Sequence, residues 1–355
     1  MAILSGIVST YAQLADLPLT IEGSDFERLE QQISREFTRV TTFVHLRGGG
    51  QEGVGEDVTY NGQDHEWFAS HGPGLPLVGE WTLDSFSSRL DGLELFPDPP
   101  GMAAFLDYRR WAFESAALDL ALRQAGRSLA DAVGRAAQPV RFVVSMRWDK
   151  PSADPVRRLL EVHPRTRFKV DPVADWTPEL VEDLAELGVV DTADLKGQYE
   201  GTVVDNPADP ALYRLVAEGF TNAWLEDPAL TEETDAVLEP HRDRITWDAP
   251  IHSVDDIEGL PFPPRTINIK PSRFGSLRRL CAAYDYCADR GIGMYGGGQF
   301  ELGVGRGQIQ YLASLFHPDM PNDIAPGGYN FAPLDPGLPE SPLAPGPAAT
   351  GFRWG

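Results

Sequence analysis

The chain has 355 residues, of which 42% are hydrophobic, and 53 acidic against 30 basic residues give it a formal net charge of −23. A surface of this sign repels the phosphates of nucleic acids and anionic lipids, so we expect neither nucleic acid nor membrane as a partner. No stretch is apolar for long enough to cross a bilayer and no charged-then-apolar leader follows Met1, so we expect a soluble cytoplasmic protein.

The first hundred residues predict a small α+β unit. An acidic amphipathic stretch at residues 25–36 is followed by a strand-like run at residues 40–46 and a glycine turn at residues 48–50. Residues 108–127 are rich in alanine and leucine, carry apolar residues at helical spacing and have a glycine near their end. This segment predicts a long helix.

From residue 139 to about residue 330, short β-rich runs alternate with helical segments. Six runs are clear, at residues 141–146, 167–171, 189–194, 223–226, 245–248 and 266–270, with helices between them at 154–161, 177–188, 210–219, 232–241 and 276–290. Such alternation is typical of parallel strands. Two further runs at residues 293–295 and 322–324 bring the count to the eight strands that close a (β/α)₈ barrel of the TIM type.

Ionisable residues end nearly every predicted strand, where the functional residues of a parallel barrel lie. Asp194 ends the third strand, Glu226 the fourth and Asp248 the fifth. Uncompensated carboxylates from adjacent strands imply a cation, and oxygen ligands without a His or Cys companion favour Mg²⁺. We therefore predict a Mg²⁺ site at these three residues. Asp191 is the alternative ligand on the third strand, but Asp194 lies nearer the strand end.

Lysine positions are informative because the chain has only four, Lys150, Lys169, Lys196 and Lys270. The last three fall at strand ends. A lysine partly desolvated beside a metal has a lowered pKa and can act as a general base, a role that suits Lys270 at the end of the sixth strand. Lys196 is expected to form an ion pair at the barrel rim.

The second strand carries three charged residues of one parity. Arg167, Lys169 and Asp171 alternate along it, so we expect all three side chains to point to the same side of the strand. Lys169 and Asp171 are both candidate catalytic residues.

As a set, these motifs resemble the enolase superfamily of mandelate racemase and muconate lactonizing enzyme, in particular the muconate-lactonizing subgroup. Residues 39–60 are similar to the strand, glycine turn and Gly-x-Gly-Glu of its capping domain, and residues 111–134 to the helix that leads into its barrel. The three strand-end carboxylates resemble its Mg²⁺ ligands. Residues 268–273 are similar to its strand-six lysine motif, and residues 296–315 to its seventh strand and the helix that follows.

The resemblance implies a (β/α)₈ barrel at residues 106–330 and an α+β capping domain at residues 1–105, completed by the tail at residues 331–355. It also implies that a base removes the proton α to a carboxylate while Mg²⁺ and a neighbouring cation stabilise an enediolate. Lys270 would be the base or, alternatively, the cation. The expected protein is a lyase or dehydratase, a cycloisomerase or an epimerase, homo-oligomeric and acting on a small-molecule carboxylate.

The second strand departs from the family's Lys-x-Lys. If Lys169 takes the second lysine position, Arg167 replaces the first, and two bases face the substrate from opposite sides, which permits epimerisation. If Asp171 takes that position, Lys270 acts alone, with Asp171 as a possible proton donor. The alternative function is then a catalytically degenerate barrel that keeps its metal and binds a ligand.

Three residues around the seventh strand are candidates for substrate contact. Gln299 and Glu301 are expected to line the barrel mouth. Arg306 lies at a helix start and could reach a substrate carboxylate, although a structural role is the better expectation.

Overall fold

The computed structural model describes residues 9–34, 37–146, 150–199, 201, 204–330 and 334–354. An N-terminal domain of antiparallel strands lies against a barrel of parallel strands. The fold predicted from the sequence, a TIM-type barrel with an α+β capping domain, is confirmed.

The capping domain contains two antiparallel sheets. Its elements are β1 (Pro18–Ile21), β2 (Gly23–Gln32), β3 (Thr38–Gly48), β4 (Gln51–Asp57), α1 (Gly62–His71), β5 (Gly79–Thr82) and α2 (Leu83–Leu90). Strands β2, β3 and β4 form a meander, and β1 pairs with β5. The acidic stretch at residues 25–36 belongs, as far as Gln32, to the edge strand β2, where exposed charges discourage pairing with another chain.

Helix α3 (Ala104–Gln124) joins the two domains and begins four residues before its predicted start. It packs closely on β4, whose Gly53 and Gly55 provide the space. A Cβ atom at Gly55 would lie 2.0 Å from the carbonyl oxygen of Ala112. The Gly-x-Gly pattern thus lets a strand of the capping domain lie directly on the helix that enters the barrel.

The barrel follows the predicted order of strands and helices. Its elements are α4 (Leu129–Ala132), β6 (Val144–Met146), α5 (Asp154–Val162), β7 (Phe168–Val170), α6 (Pro178–Leu187), β8 (Val190–Asp194), α7 (Pro210–Gly219), β9 (Trp224–Glu226), α8 (Glu232–Leu238), β10 (Ile245–Trp247), α9 (Val254–Glu258), β11 (Thr266–Ile269), α10 (Pro271–Phe274), α11 (Leu277–Arg290), β12 (Gly293–Gly296) and α12 (Val304–Phe316). Helices α6, α7, α8, α9 and α11 begin after a Thr, Asp or Ser whose side chain accepts a hydrogen bond from the first turn. These N-caps explain why the sequence located the starts of α6, α7, α8 and α11 well, whereas the short helix α9 was not predicted.

Seven parallel strands, β6 to β12, pair in chain order, and a bridge completes the ring. Asn322 pairs with Phe142 ahead of β6, and Asp323 pairs with Gly297 after β12. The side chain of Asn322 also accepts a hydrogen bond from the amide of Gly296 at 2.6 Å and donates one to the carbonyl of Arg141 at 2.9 Å. The eighth strand predicted at residues 322–324 is therefore reduced to two bridging residues.

The C-terminal tail is tied to the junction of the two domains. Asp119 of α3 accepts hydrogen bonds from the amide of Phe352 at 2.8 Å, from Arg353 at 2.6 Å and from the amide of Val54 in β4 at 3.0 Å. The Phe352 side chain is fully buried. Among the described residues, no helix combines the length and the apolar character needed to span a bilayer.

Candidate active site

Charged side chains from five strands converge at the C-terminal end of the barrel. Lys169, Asp194, Glu226, Asp248 and Lys270 are all less than a tenth exposed. Burial removes them from water, so their interactions with one another decide which of them stay charged.

Lys169 projects from β7 into a cluster of carboxylates. Its Nζ lies 2.8 Å from an oxygen of Asp194, donates a hydrogen bond to Glu226 and lies 3.7 Å from Asp323 of the bridge that closes the ring. Burial alone would lower the pKa of Lys169. The charges of Asp194 and Glu226 outweigh burial and hold that pKa well above its usual value, so Lys169 is protonated.

Three carboxylates come together beside Lys169. Oxygens of Asp194, Glu226 and Asp227 lie within 4.8 Å of one another. Burial, with the charges of Asp194 and Asp248, raises the pKa of Glu226 well above its usual value although Lys169 opposes the shift. Buried like charges at this spacing with only oxygen donors fit a hard divalent cation such as Mg²⁺.

Asp227 is a site residue that the sequence reasoning did not select. It has a positive φ of 49°, and its two oxygens accept hydrogen bonds from the amides of Asp248 at 2.7 Å and Ala249 at 2.8 Å. Burial and the neighbouring carboxylates of Asp248 and Asp194 raise the pKa of Asp227 to about 7. Asp227 therefore fixes the end of the fifth strand. Its position in the sequence, directly after Glu226 and before Pro228 at a strand end, could have marked it as a site residue.

Asp248, the third predicted ligand, is held by cations. One oxygen lies 2.8 Å from Lys270 and 2.9 Å from the hydroxyl of Tyr199, and the other lies 2.7 Å from Arg273. Burial would raise the pKa of Asp248, but Arg273 and Lys270 outweigh it and lower that pKa, so the group is ionised. Arg273 and Tyr199 complete this part of the site, and neither was assigned a role from the sequence.

Lys270 directly follows β11, the sixth strand, and Lys169 lies on β7, the second. Three strands of the ring lie between these two strands in either direction, when the bridging residues 322 and 323 are counted as a strand. The two ammonium groups therefore lie on opposite sides of the barrel mouth. Burial lowers the pKa of Lys270. The positive charges of Arg273 and Lys169 lower it further, although Asp248 opposes them.

Arg167 lies apart from Lys169 and Asp171, at the start of the strands. The register shift between β7 and β8 leaves Asp191 as an extra residue of β8, because Phe168 pairs with Val190 and Lys169 with Thr192. The guanidinium of Arg167 binds an oxygen of Asp191 and, at 2.6 Å, the carbonyl of Gly188, which precedes β8. Arg167 and Asp191 thus pair at the start of the strands, and Lys169 is the strand-two residue that contacts the carboxylate cluster.

Lys196 forms the ion pair expected at the barrel rim. Its Nζ binds Asp194 and lies 3.8 Å from an oxygen of Asp171. Asp171 lies beside the cluster, next to a cation that belongs to the following strand.

Gln299 lies at the interface between the barrel and the capping domain. Its side-chain amide donates a hydrogen bond to the hydroxyl of Tyr108 at 2.9 Å and accepts one from Tyr60 at 3.3 Å. Arg39 of β3 binds the carbonyls of Gln299 and Phe300 at 2.9 and 3.0 Å. The capping domain therefore sets the position of the loop after β12.

Glu301 and Arg306 pair with each other at 3.1 Å. Glu301 also accepts a hydrogen bond from the amide of Gln299 at 2.6 Å. These contacts agree with the structural role expected for Arg306, and substrate contact by Gln299, Glu301 and Arg306 remains a prediction.

Comparison with known proteins identifies relatives of the chain. Two family models match it, the N-terminal domain of DUF8230 over residues 12–132 and the C-terminal domain over residues 136–331, both described as domains of unknown function. o-Succinylbenzoate synthase from Geobacillus stearothermophilus is 29% identical over 225 residues, which are 60% of this chain and 58% of that enzyme. The chain thus matches less than two thirds of the length of that relative.

A second relative and a solved structure are similar over more of the chain. N-succinylamino acid racemase from Thermus thermophilus is 25% identical over 342 residues, 88% of this chain and 84% of the racemase. The crystal structure of muconate cycloisomerase from Pseudomonas fluorescens superposes with a TM-score of 0.66 at 17% identity, covering 95% of this chain and 93% of the other. At that identity, the likeness to the solved structure concerns the fold.

Proposed function

The chain belongs to the DUF8230 family and to the enolase superfamily, and from this we propose that it is a Mg²⁺-dependent enzyme that removes the proton α to a carboxylate of a small molecule. The observation that carries the proposal is the position of two buried lysines, Lys169 and Lys270, on opposite sides of a carboxylate cluster. A cytoplasmic location and a homo-oligomeric state stay predictions from the sequence.

We assign the Mg²⁺ ligands to Asp194, Glu226 and Asp248. Asp194 and Glu226 belong to the group of converging oxygens. Backbone amides, which are fixed, hold both oxygens of Asp227. The oxygens of Asp248 are held by the side chains of Lys270, Tyr199 and Arg273, which can reorient when a cation binds, and this favours Asp248 as the third ligand. When bound, Mg²⁺ supplies positive charge that polarises the substrate carboxylate and makes the neighbouring C–H more acidic.

Lys270 is the proposed base. Its pKa is lowered by burial and by Arg273, so a larger fraction of its amine is neutral and able to accept a proton from the α-carbon. Lys169 lies on the opposite side, where its ammonium form can deliver a proton to the other face of the carbon formed and its amine form can remove one in the reverse direction.

This two-sided arrangement suits racemisation or epimerisation, in which one lysine takes the proton and the other returns one. The same first step, followed by loss of a β-substituent, gives an elimination. The names of the relatives, a synthase of o-succinylbenzoate and a racemase of N-succinylamino acids, favour succinyl-bearing carboxylates as the first substrates to try.

Deuterium incorporation tests the proposal. The protein is incubated with Mg²⁺ in D₂O with N-succinylamino acids, other N-acyl amino acids, hydroxy acids and dipeptides, and the α-proton is followed by NMR. We expect exchange that EDTA abolishes, and a loss of about 10²–10⁴-fold in Lys270→Met, in line with the usual contribution of a general base. No exchange across the panel, with Mg²⁺ shown to be bound, would indicate the degenerate ligand-binding barrel instead.

A further inference from the structure

Lys196 has an unusual backbone for its residue type. It follows β8 with a φ of 55°, in the left-handed region that glycine and asparagine adopt more readily than lysine. Its Nζ binds Asp194 and lies 3.8 Å from Asp171, and 16% of its side chain is exposed. The backbone of Lys196 is thus strained, and a short polar residue would fit it better. The position nevertheless carries a lysine, whose ammonium group lies at the barrel mouth.

The other cations at the mouth are committed to neighbours. Lys169 lies between Asp194 and Glu226, and its side chain is 2% exposed. Arg273 lies between Asp248 and the hydroxyl of Tyr199. Lys270 is the proposed base. Lys196 is also paired, with Asp194, but its side chain is the most exposed of the four, at 16% against 2% for Lys169, 9% for Lys270 and 5% for Arg273.

Arg167 does not place a positive charge at the mouth. In the register that gives Lys169 the second lysine position, Arg167 stands at the first, but its guanidinium binds Asp191 and the carbonyl of Gly188 at the start of the strands. Among the residues that the structure describes, Arg167 therefore brings no cation to the mouth at the position where this register would place one.

We propose that Lys196 takes over this role and binds the substrate carboxylate whose α-proton is removed. The proposal rests on the proposed function. Lys196 and Lys169 bind the same oxygen of Asp194, so a carboxylate beside Lys169 is within reach of Lys196. Removal of the α-proton adds negative charge to the carboxylate oxygens, and a nearby ammonium group in a water-poor site offsets that charge.

The position of Lys196 on Asp194 predicts a second effect. The ammonium group repels a divalent cation held by the same carboxylate, so Lys196 opposes metal binding while it favours anion binding. Loss of its charge should therefore move the two affinities in opposite directions, which a merely structural residue would not do.

The test compares Lys196→Asn with Lys196→Arg by isothermal titration calorimetry. Asparagine suits a φ of 55°, so Lys196→Asn is expected to fold, and its circular dichroism and melting temperature check this. Arg242→Gln is the matched control, because it removes one positive charge from an exposed ion pair with Asp235 on α8. Mg²⁺ is titrated first, and oxalate, a planar dianion that resembles an enediolate, is then titrated into the Mg²⁺-saturated protein.

In Lys196→Asn we expect oxalate to bind about tenfold or more weakly, equivalent to about 1.4 kcal/mol, and Mg²⁺ to bind more tightly than in the wild type. Lys196→Arg and Arg242→Gln should stay within about threefold of the wild type for oxalate. The inference is overturned if Lys196→Asn binds oxalate as the wild type does, or if its weaker oxalate binding comes with equally weak Mg²⁺ binding. A wild-type protein that binds no Mg²⁺ contradicts the proposed function itself.

Discussion

Two groups of buried charges in this protein are satisfied in opposite ways. At the interface between capping domain and barrel, Arg39 donates to the carbonyls of Val58 and Thr59, each at 2.7 Å, and to those of Gln299 and Phe300. Nearby, Glu56 accepts hydrogen bonds from the backbone amides of Leu302, in the loop after β12, and of Gly305, in the first turn of α12. Arg39 and Glu56 are thus bound by backbone dipoles, which do not ionise.

At the barrel mouth, charged side chains meet other charged side chains. Asp194, Glu226 and Asp227 are crowded together, and Lys169 and Lys196 compensate them only in part. Buried charges that bind backbone groups, such as Arg39, fix how the capping domain lies on the barrel. Buried carboxylates that face one another require a cation to balance their charge, and such clusters are typical of metal-dependent active sites.

The largest expected effect concerns metal binding at the mouth. Asp248→Asn should weaken Mg²⁺ binding by more than about 100-fold, because it removes a ligand, whereas Asp227→Asn should cost about 10–100-fold, the usual effect of a residue that orients a ligand. Calorimetric titration of Mg²⁺ measures both. If Asp227→Asn weakened Mg²⁺ binding more than Asp248→Asn, Asp227 would be the ligand and Asp248 the residue that orients it.

Removal of the interface cation should lower stability and leave the mouth intact. Arg39→Met leaves four buried carbonyls without their donor, so we expect the free energy of unfolding to fall by about 3 kcal/mol or more. Urea denaturation measures the loss. Arg47→Met, on the same strand but in an exposed ion pair with Glu52, is the matched control and should cost less than about 1 kcal/mol. Equal losses of stability in the two variants would show that the buried hydrogen bonds of Arg39 stabilise the fold no more than an exposed ion pair does.

The smallest effect concerns the buried imidazole of His317, which forms a hydrogen bond with Asn322. Burial lowers the pKa of His317 to about 4, although a hydrogen bond with Asn322 opposes the shift. In the unfolded chain the pKa is about 6.5, so between these values the unfolded state binds more protons and stability falls as the pH falls.

From pH 7 to pH 5, this group alone should lower the free energy of unfolding by about 2 kcal/mol, since each pKa unit corresponds to about 1.36 kcal/mol. His317→Gln cannot titrate, so its loss over the same range should be smaller by that amount in urea denaturation at the two pH values. Parallel curves for variant and wild type would show that His317 keeps its ordinary pKa in the folded protein.

Local sequence patterns predicted those site residues that lie at the ends of consecutive strands. Asp194, Glu226 and Lys270 could be selected because parallel strands bring their C-terminal ends to one rim. The contact of Arg39 with Gln299 joins residues 260 positions apart and leaves no local pattern. It follows from how the capping domain sits on the barrel, which the sequence alone did not reveal.

Other features depended on backbone irregularities. The register shift between β7 and β8 leaves Asp191 as an extra residue of β8, and Arg167 binds its carboxylate. The positive φ of Asp227 turns its carboxylate toward the amides of Asp248 and Ala249. Asn322 closes the ring through its side chain, so the expected eighth strand is shorter than its β-rich run suggested. Alternation rules assume a regular strand, and each of these positions departs from one.

The central claim, two acid–base lysines on opposite sides of one substrate, is tested most directly by α-proton exchange of separate enantiomers. Lys270→Met and Lys169→Met, each saturated with Mg²⁺, are incubated in D₂O with the L and the D form of a substrate that the wild-type protein exchanges. The account predicts that each variant loses exchange of one enantiomer, a different one in each case, by about 10²–10⁴-fold. Equal loss of both enantiomers in Lys270→Met, with both kept in Lys169→Met, would contradict it and leave Lys270 as the single base.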